Sequence, residues 1–243
     1  MTQADKTEAT KDAILDAALP HVPFDGWTET TVRAAIRESR VAEALARALF
    51  PRGAVDMALA YHARGDAALA DTLAATDLGA MRYRERVAFA VRKRIELAGD
   101  KELVRRGATL HSLPQHAADG AHAVWGTADA IWNALGDTAD DLNWYTKRAT
   151  LSCVYAATVL FWLGDDSTGQ QATWDFLDRR IEDVMRIEKL KAQIRDNPLA
   201  KAFDASRFFA WIKKPVVPDN LPGRFGLASR PNPYRPNPYR PSH

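Results

Sequence analysis

The stretch Asp140–Leu163, DDLNWYTKRATLSCVYAATVLFWL, decides the fold. After Arg148 it runs for fifteen residues without a charge, from Ala149 to Leu163. A bilayer span needs about 20 apolar residues, and loop signals flank this run on both sides, so a buried central helix is predicted. Helical spacing puts Trp144, Arg148, Leu151, Tyr155 and Trp162 on one bulky face. Tyr145, Ala149, Ser152, Ala156, Leu160 and Leu163 make a second face, small near its middle, where a neighbouring backbone can approach closely or a ligand can fit. Asp140 and Asp141 suit the free N–H groups at the helix start.

Outward from this helix the same period recurs. Ala117–Leu135 carries Val124, Trp125, Ala128, Ile131, Trp132 and Leu135 on one side and stops at Gly136-Asp137. On the far side, Gly164–Gly169 is a turn, and Gln170–Lys191 places Trp174, Leu177, Ile181, Val184 and Met185 at helical spacing. Met81–Gly99 and Glu102–Leu113 are further helices. Their basic residues Arg82, Arg84, Arg86, Arg92, Lys93, Arg94, Arg105 and Arg106 interleave with apolar ones, the pattern of a core helix with a solvated basic face. No stretch alternates with a period of two, so the fold class is all-α, a bundle of about nine or ten helices.

Near the N-terminus, Thr10–Leu19, Glu29–Ser39 and Val41–Leu49 are short helices, followed by a long one from Ala54 to about residue 74. With Ile14-Leu-Asp-Ala-Ala18, Gly26-Trp27-Thr28 and Phe50-Pro51, this resembles the helix-turn-helix head of the TetR regulators. A recognition helix needs side chains that reach base edges and cations that hold phosphate. Val41–Leu49 offers Arg47, with Glu43 on the same face and four alanines, and Arg33, Arg37 and Arg40 add the nearby charge. A retained head with lost readout is the expectation, and nucleic acid is not an expected partner.

The chain has 243 residues, 47% hydrophobic and 26% charged, which is ordinary for a globular protein. Its net charge of +2 hides an asymmetry: Met1–Met185 is net −6 and Arg186–His243 net +8. A basic end on an acidic body suits an anionic surface, nucleic acid or lipid, and solvation of a tail accounts for part of it. The lone Cys153 permits no disulfide framework and is expected to be a small core residue. The polar start MTQADKTEATKDA reads as neither signal nor transit peptide, so a cytoplasmic, bacterial protein is expected. The histidines lack metal-ligand spacing, and no phosphate-cradling glycine loop or nucleophile phrase occurs.

Trp132, Gly136-Asp137, Asp141-Leu-Asn-Trp-Tyr-Thr-Lys-Arg-Ala149, Tyr155 and Thr173-Trp174-x-Phe176-Leu177-x-x-Arg180-Ile181-x-Asp183-x-Met185 resemble the signature of the coenzyme Q biosynthesis protein nine family, over most of residues 10–190. The resemblance implies a TetR-like lipid-binding accessory protein of ubiquinone synthesis that is not an enzyme. It holds an isoprenoid quinone precursor or another lipid, with no further cofactor and no metal. It also implies peripheral association with the inner membrane, and a surface that engages a ubiquinone-biosynthesis hydroxylase. That surface is placed on Ile131, Trp132, Asp141, Trp144, Tyr145 and Arg148. Aromatics beside an arginine are the composition of a hot spot, and equally of a core. Leu110, Val124, Leu151, Tyr155, Thr158 and Trp162 are the candidate lipid-binding residues, if the small face leaves a cavity.

The C-terminal segment can be read without the family. Asn197-Pro198 suits a helix start, and Phe203, Arg207, Phe208, Phe209, Trp211, Ile212, Lys213 and Lys214 suit an interfacial helix on a membrane surface. Beyond Pro215 a Pro-rich tail ends in the repeated RPNPY phrase and is expected to be disordered. The expected organisation is a helix-turn-helix-like head (8–52), a lipid-binding bundle (53–192), an amphipathic helix (196–214) and the tail (215–243). The alternative function, a ligand-responsive TetR-like transcriptional regulator, requires a homodimer, and the oligomeric state is left open.

Overall fold

The computed structural model of the chain describes residues 2–138 and 142–196, and every regular element among them is helical. In order these are α1 (Gln3–Ala18), α2 (Val22–Asp25), α3 (Glu29–Ser39), α4 (Glu43–Leu49), α5 (Ala54–Ala75), α6 (Tyr83–Glu96), α7 (Lys101–His111), α8 (Ala117–Ala134), α9 (Leu142–Leu163) and α10 (Gln171–Asp196). Short 3-10 turns precede α8 and α10. The expected start of α1 near Thr10 is too late. Thr2 and Asp5 form a reciprocal capping box, Asp5 N–H donating to Thr2 Oγ1 (3.2 Å) and Thr2 N–H to Asp5 Oδ2 (2.8 Å), so the helix begins at Gln3. Between α1 and α3, Pro23 occupies the first turn of the one-turn helix α2.

Two apolar clusters organise the chain. Ile14, Leu15, Ala18, Val32, Phe50 and Met57 belong to the head core built from α1 to α5. Leu69, Val91, Ile131, Tyr155, Trp174 and Leu177 belong to a second core, where α5, α6, α8, α9 and α10 meet. The head phrases read from the sequence are therefore packing phrases: Ile14, Trp27 and Phe50 are all buried. Trp27 also ties α7 into the head core, donating from Nε1 to the Leu103 carbonyl (3.3 Å) and packing 5.8 Å from the Tyr61 ring.

The recognition-helix position carries little free positive charge. Arg47 in α4 donates to both carboxylate oxygens of Glu29 (3.1 and 2.6 Å) and lies 3.6 Å from Glu43. Arg33 lies 3.5 Å from the same Glu29. The turn between α3 and α4 is closed by Arg40 with φ 56°, ψ 19°, the left-handed region where a Cβ is unfavourable. Replacing Arg40 with glycine is expected to raise stability by about 1 kcal/mol, read as an upward shift of the urea midpoint with no change in slope.

Much of the dense basic stretch is paired in place, two cations sharing each of Glu96 and Glu102. Arg92 and Lys93 bond Glu96 (2.8 and 2.7 Å), Arg105 bonds Glu102, and Arg106 lies 2.8 Å from Glu102. Arg94 departs from the expected solvated face. It falls on the stripe Val87, Ala90, Val91, Ile95 and is 3% exposed.

Candidate ligand cavity

The end of α8 and the start of α9 are fixed first, because they set the angle of the central helix. Gly136, at φ 78°, closes α8 in a Schellman turn: its N–H donates to the Asn133 carbonyl (3.1 Å) and the Asp137 N–H to the Trp132 carbonyl (2.9 Å). This turn carries the Asp137 carboxylate inward to Arg148. The Arg148 guanidinium is fully buried and donates to Asp129 (2.5 Å), Asp137 (3.0 Å) and the Asn133 side-chain oxygen (3.2 Å). It also lies 4.1 Å over the Trp144 ring. Lys147 adds a second cation to Asp137 (2.7 Å), and Trp132 Nε1 donates to the Lys147 carbonyl (3.1 Å).

With α9 so placed, its small face fronts a cavity of about 630 Å³ walled by α5, α6, α7 and α8. Small residues make the room: Gly107 and Ala108 from α7, Gly120 and Ala123 from α8, Ala149 and Ala156 from α9. Gly120 is needed on packing grounds, since a Cβ there would come within 2.7 Å of the His111 Cβ. The inner wall is Trp27, Ala58, Tyr61, Ile95, Leu103 and Tyr155. Toward solvent the lining residues Ser112, Ala117, Ala121, Ala149, Cys153 and Leu160 are exposed, which places the mouth between α7, α8 and α9.

One wall hides a polar cluster. Gly65 lets the Arg94 guanidinium lie flat on α5, where it donates to Asp66 (2.6 Å) and to the His62 carbonyl (2.8 Å). Thr127 Oγ1 donates to Asp66 (2.8 Å) and lies 2.8 Å from His62 Nε2. Tyr61 Oη donates to the Ala98 carbonyl. Burial pushes His62 down to about 4, with nearby Arg94 and His111 acting the same way and Asp66 opposing them. An unfolded chain takes up that proton near 6.5, whereas the folded chain refuses it until about 4. Stability present above pH 6.5 is therefore lost as pH falls toward 4, by an amount on the order of 3 kcal/mol. Urea midpoints measured across this window should fall with pH, and His62→Gln should flatten the fall. Part of the slope remains with His111, which burial also lowers.

The residues singled out in the sequence divide clearly. Of the six lipid-binding candidates, Val124, Tyr155 and Trp162 line the cavity. Leu151 and Thr158 do not: they point into the bundle, Thr158 Oγ1 donating to its own helix at Val154 O (2.7 Å). Leu110 packs against the head core. Of the six partner candidates, Ile131, Trp132, Trp144 and Arg148 are buried, Tyr145 is half-buried against Trp125 and Trp144, and Asp141 lies outside the described residues. The expected core role of Cys153 is corrected. The thiol is exposed at the cavity mouth, because the small face of α9 fronts space and not a neighbouring helix. The capping aspartates Asp140 and Asp141, the interfacial residues Phe203–Lys214 and the RPNPY tail lie outside the described residues. His62, Asp66 and Arg94 were not singled out as site residues, although Arg94 standing in an apolar stripe is the signal that marks them.

A helix-turn-helix head on a helical body defines the TetR-like class of all-α proteins. The chain superposes on the crystal structure of a TetR transcriptional regulator from Nitrosomonas europaea with a TM-score of 0.57, covering 71% of this chain and 95% of that one at 19% identity. Residues 117–188, which span α8, α9 and most of α10, match the COQ9 family model. It is 31% identical over 193 residues to the ubiquinone biosynthesis protein COQ9, mitochondrial, of Drosophila melanogaster, covering 77% of this chain and 59% of that protein. The COQ9 proteins of Rattus norvegicus and Homo sapiens are 30% and 28% identical, each over 77% of this chain and 62% and 61% of theirs. The chain thus spans about three fifths of the length of these relatives. The expectation of a cytoplasmic, bacterial protein beside the inner membrane is overturned, since these relatives are mitochondrial.

Proposed function

We propose that this protein serves ubiquinone biosynthesis without catalysing a reaction, by holding a lipid of that pathway in its cavity and presenting it to a hydroxylase. The cavity of about 630 Å³ carries this reading: it lies within the usual range for small-molecule sites, and its walls are mostly apolar. The relatives named for ubiquinone biosynthesis supply the pathway. Presentation suits the energetics, because an isoprenoid tail gains about 25 cal/mol per Å² on leaving water but little on leaving a bilayer. A tail that is not tightly held can be passed on.

The hydroxylase surface is proposed to lie on what the α8–α9 pair exposes, not on Trp132, Trp144 and Arg148, which are buried. Mass spectrometry of an organic extract from the purified chain tests the reading. Isoprenoid quinones or their precursors at near-stoichiometric amounts are the expected result. An extract with no lipid would sink it and turn attention to the regulator, whose Arg47 is already engaged by Glu29 and Glu43.

A further inference from the structure

We infer that His111 and Ser152 form a hydrogen-bonding seat that selects a ligand carrying a hydroxyl group over one that offers only hydrocarbon or an acceptor oxygen there. This rests on the proposal that the cavity holds a ligand, and it names two specificity-determining residues in a wall that is otherwise mostly apolar.

Most polar groups of that wall already have partners within the protein. Tyr61 donates to the Ala98 carbonyl, Trp27 to the Leu103 carbonyl, Arg94 to Asp66 and Trp162 to Gln170, and His62 is bonded to Thr127. Two atoms break this pattern. His111 Nδ1 and Ser152 Oγ are buried from solvent and have no hydrogen-bond partner in the protein. Both residues line the cavity, one from α7 and the other from α9. A buried polar atom without a partner is costly, and native chains keep few of them. Two facing one cavity point to a bound molecule as the group that completes them.

Their position is near the opening, since Ser112 and Cys153, the next residues in sequence, are exposed at the mouth. Gly120 belongs to the same corner. A Cβ there would lie 2.7 Å from the His111 Cβ and 3.8 Å from its Nδ1, so only a glycine lets α8 pass this close to the ring.

The two atoms together call for a group that both donates and accepts. Ser152 Oγ does either, and a neutral imidazole presents Nδ1 as donor in one tautomer and acceptor in the other. A hydroxyl meets every combination, whereas an ether oxygen meets donors alone. A carboxylate would need a counter-ion, and Arg94, the one fixed cation among the described lining residues, is bonded to Asp66. Burial holds His111 below its ordinary range; Arg52 and the His116 ring act the same way, and the His116 backbone and Asp119 oppose them. At pH 8 the ring is therefore neutral.

Tryptophan fluorescence supplies the readout, because Trp27, Trp125 and Trp162 line the cavity. The full chain, stripped of lipid, is titrated at pH 8 with decanol, decyl methyl ether or decanoate. Decanol should bind roughly tenfold tighter than the ether, and tighter than decanoate. His111→Phe and Ser152→Ala should each bring decanol to within about threefold of the ether, with the affinity for the ether itself held. A merely structural role would move all three probes together. Ser152→Ala keeps the test open should His111→Phe fail to fold: it removes an atom without an internal partner, so the urea midpoint of the lipid-free chain should not fall.

Equal binding of decanol and ether, or tighter binding of decanoate, overturns the inference while leaving ligand holding intact. A preference for decanol that survives both substitutions overturns it as well. So does a lowered midpoint for Ser152→Ala, since Oγ would then have a partner within the protein. If none of the three probes binds, the inference falls, and an empty organic extract beside that result removes the lipid-holding reading too.

Discussion

Arg148→Met should lower stability by about 3–5 kcal/mol, enough to unfold much of the population of an ordinary domain at 37 °C. Methionine fills a similar length but carries no charge. It would take the Arg148 guanidinium away from Asp137, whose side chain is 2% exposed, and leave Asp129 without its 2.5 Å partner. Removing one member of a buried ion pair costs far more than the intact pair contributes, because the remaining carboxylate stays desolvated. The loss should appear in a urea melt as a large drop in midpoint, and lipid content should fall with it, since Arg148 sets the position of α9. A variant that keeps its midpoint and loses only hydroxylase binding would instead return Arg148 to the role of a docking residue.

Gly65→Ala should also destabilise, by about 2–4 kcal/mol, although the same change in most helix interiors stabilises by up to about 1 kcal/mol. A Cβ at this position would stand 2.6 Å from Arg94 Nη1 and 2.7 Å from its Cζ. The guanidinium cannot yield without leaving Asp66 and the His62 carbonyl, to which it is bonded at 2.6 and 2.8 Å. Overpacking and a broken buried pair then add together and outweigh the helix-propensity gain. Thermal melts of Gly65→Ala beside an exposed helical glycine-to-alanine control separate the two terms. A stabilised Gly65→Ala would mean that Arg94 is free to move.

The helices were legible in the sequence because their signals are local. Hydrophobic period, Gly136-Asp137 and the Gly164–Gly169 turn mark the boundaries of α8, α9 and α10 to within a few residues. The second face of α9 was legible too, and Ala149, Ser152 and Ala156 line the cavity from it. What the sequence left undecided was side-chain destination. Trp144 beside Arg148 has the composition of a surface hot spot and of a buried cation–π pair alike. The choice turns on Asp129 and Asp137, which reach Arg148 from 19 and 11 residues away. Arg94 was hidden in the same manner, because its partner Asp66 is 28 residues distant on another helix. Three of the six lipid-binding candidates stand away from the cavity for a geometric reason. Leu151 and Thr158 stand on the bundle side of α9, and the remaining walls come from small residues on α7 and α8 that read in a sequence as plain helix filler.

Trp27 belongs to the head by sequence and to the cavity wall by position, so no boundary separates what the head senses from what the cavity contains. A molecule that presses on that ring acts on the head core, and anything that grips the head acts on the molecule. Thermodynamic reciprocity requires the two influences to be equal in size. The head can thus serve as a handle, through which a protein bound outside would tighten or loosen the hold on whatever the cavity contains.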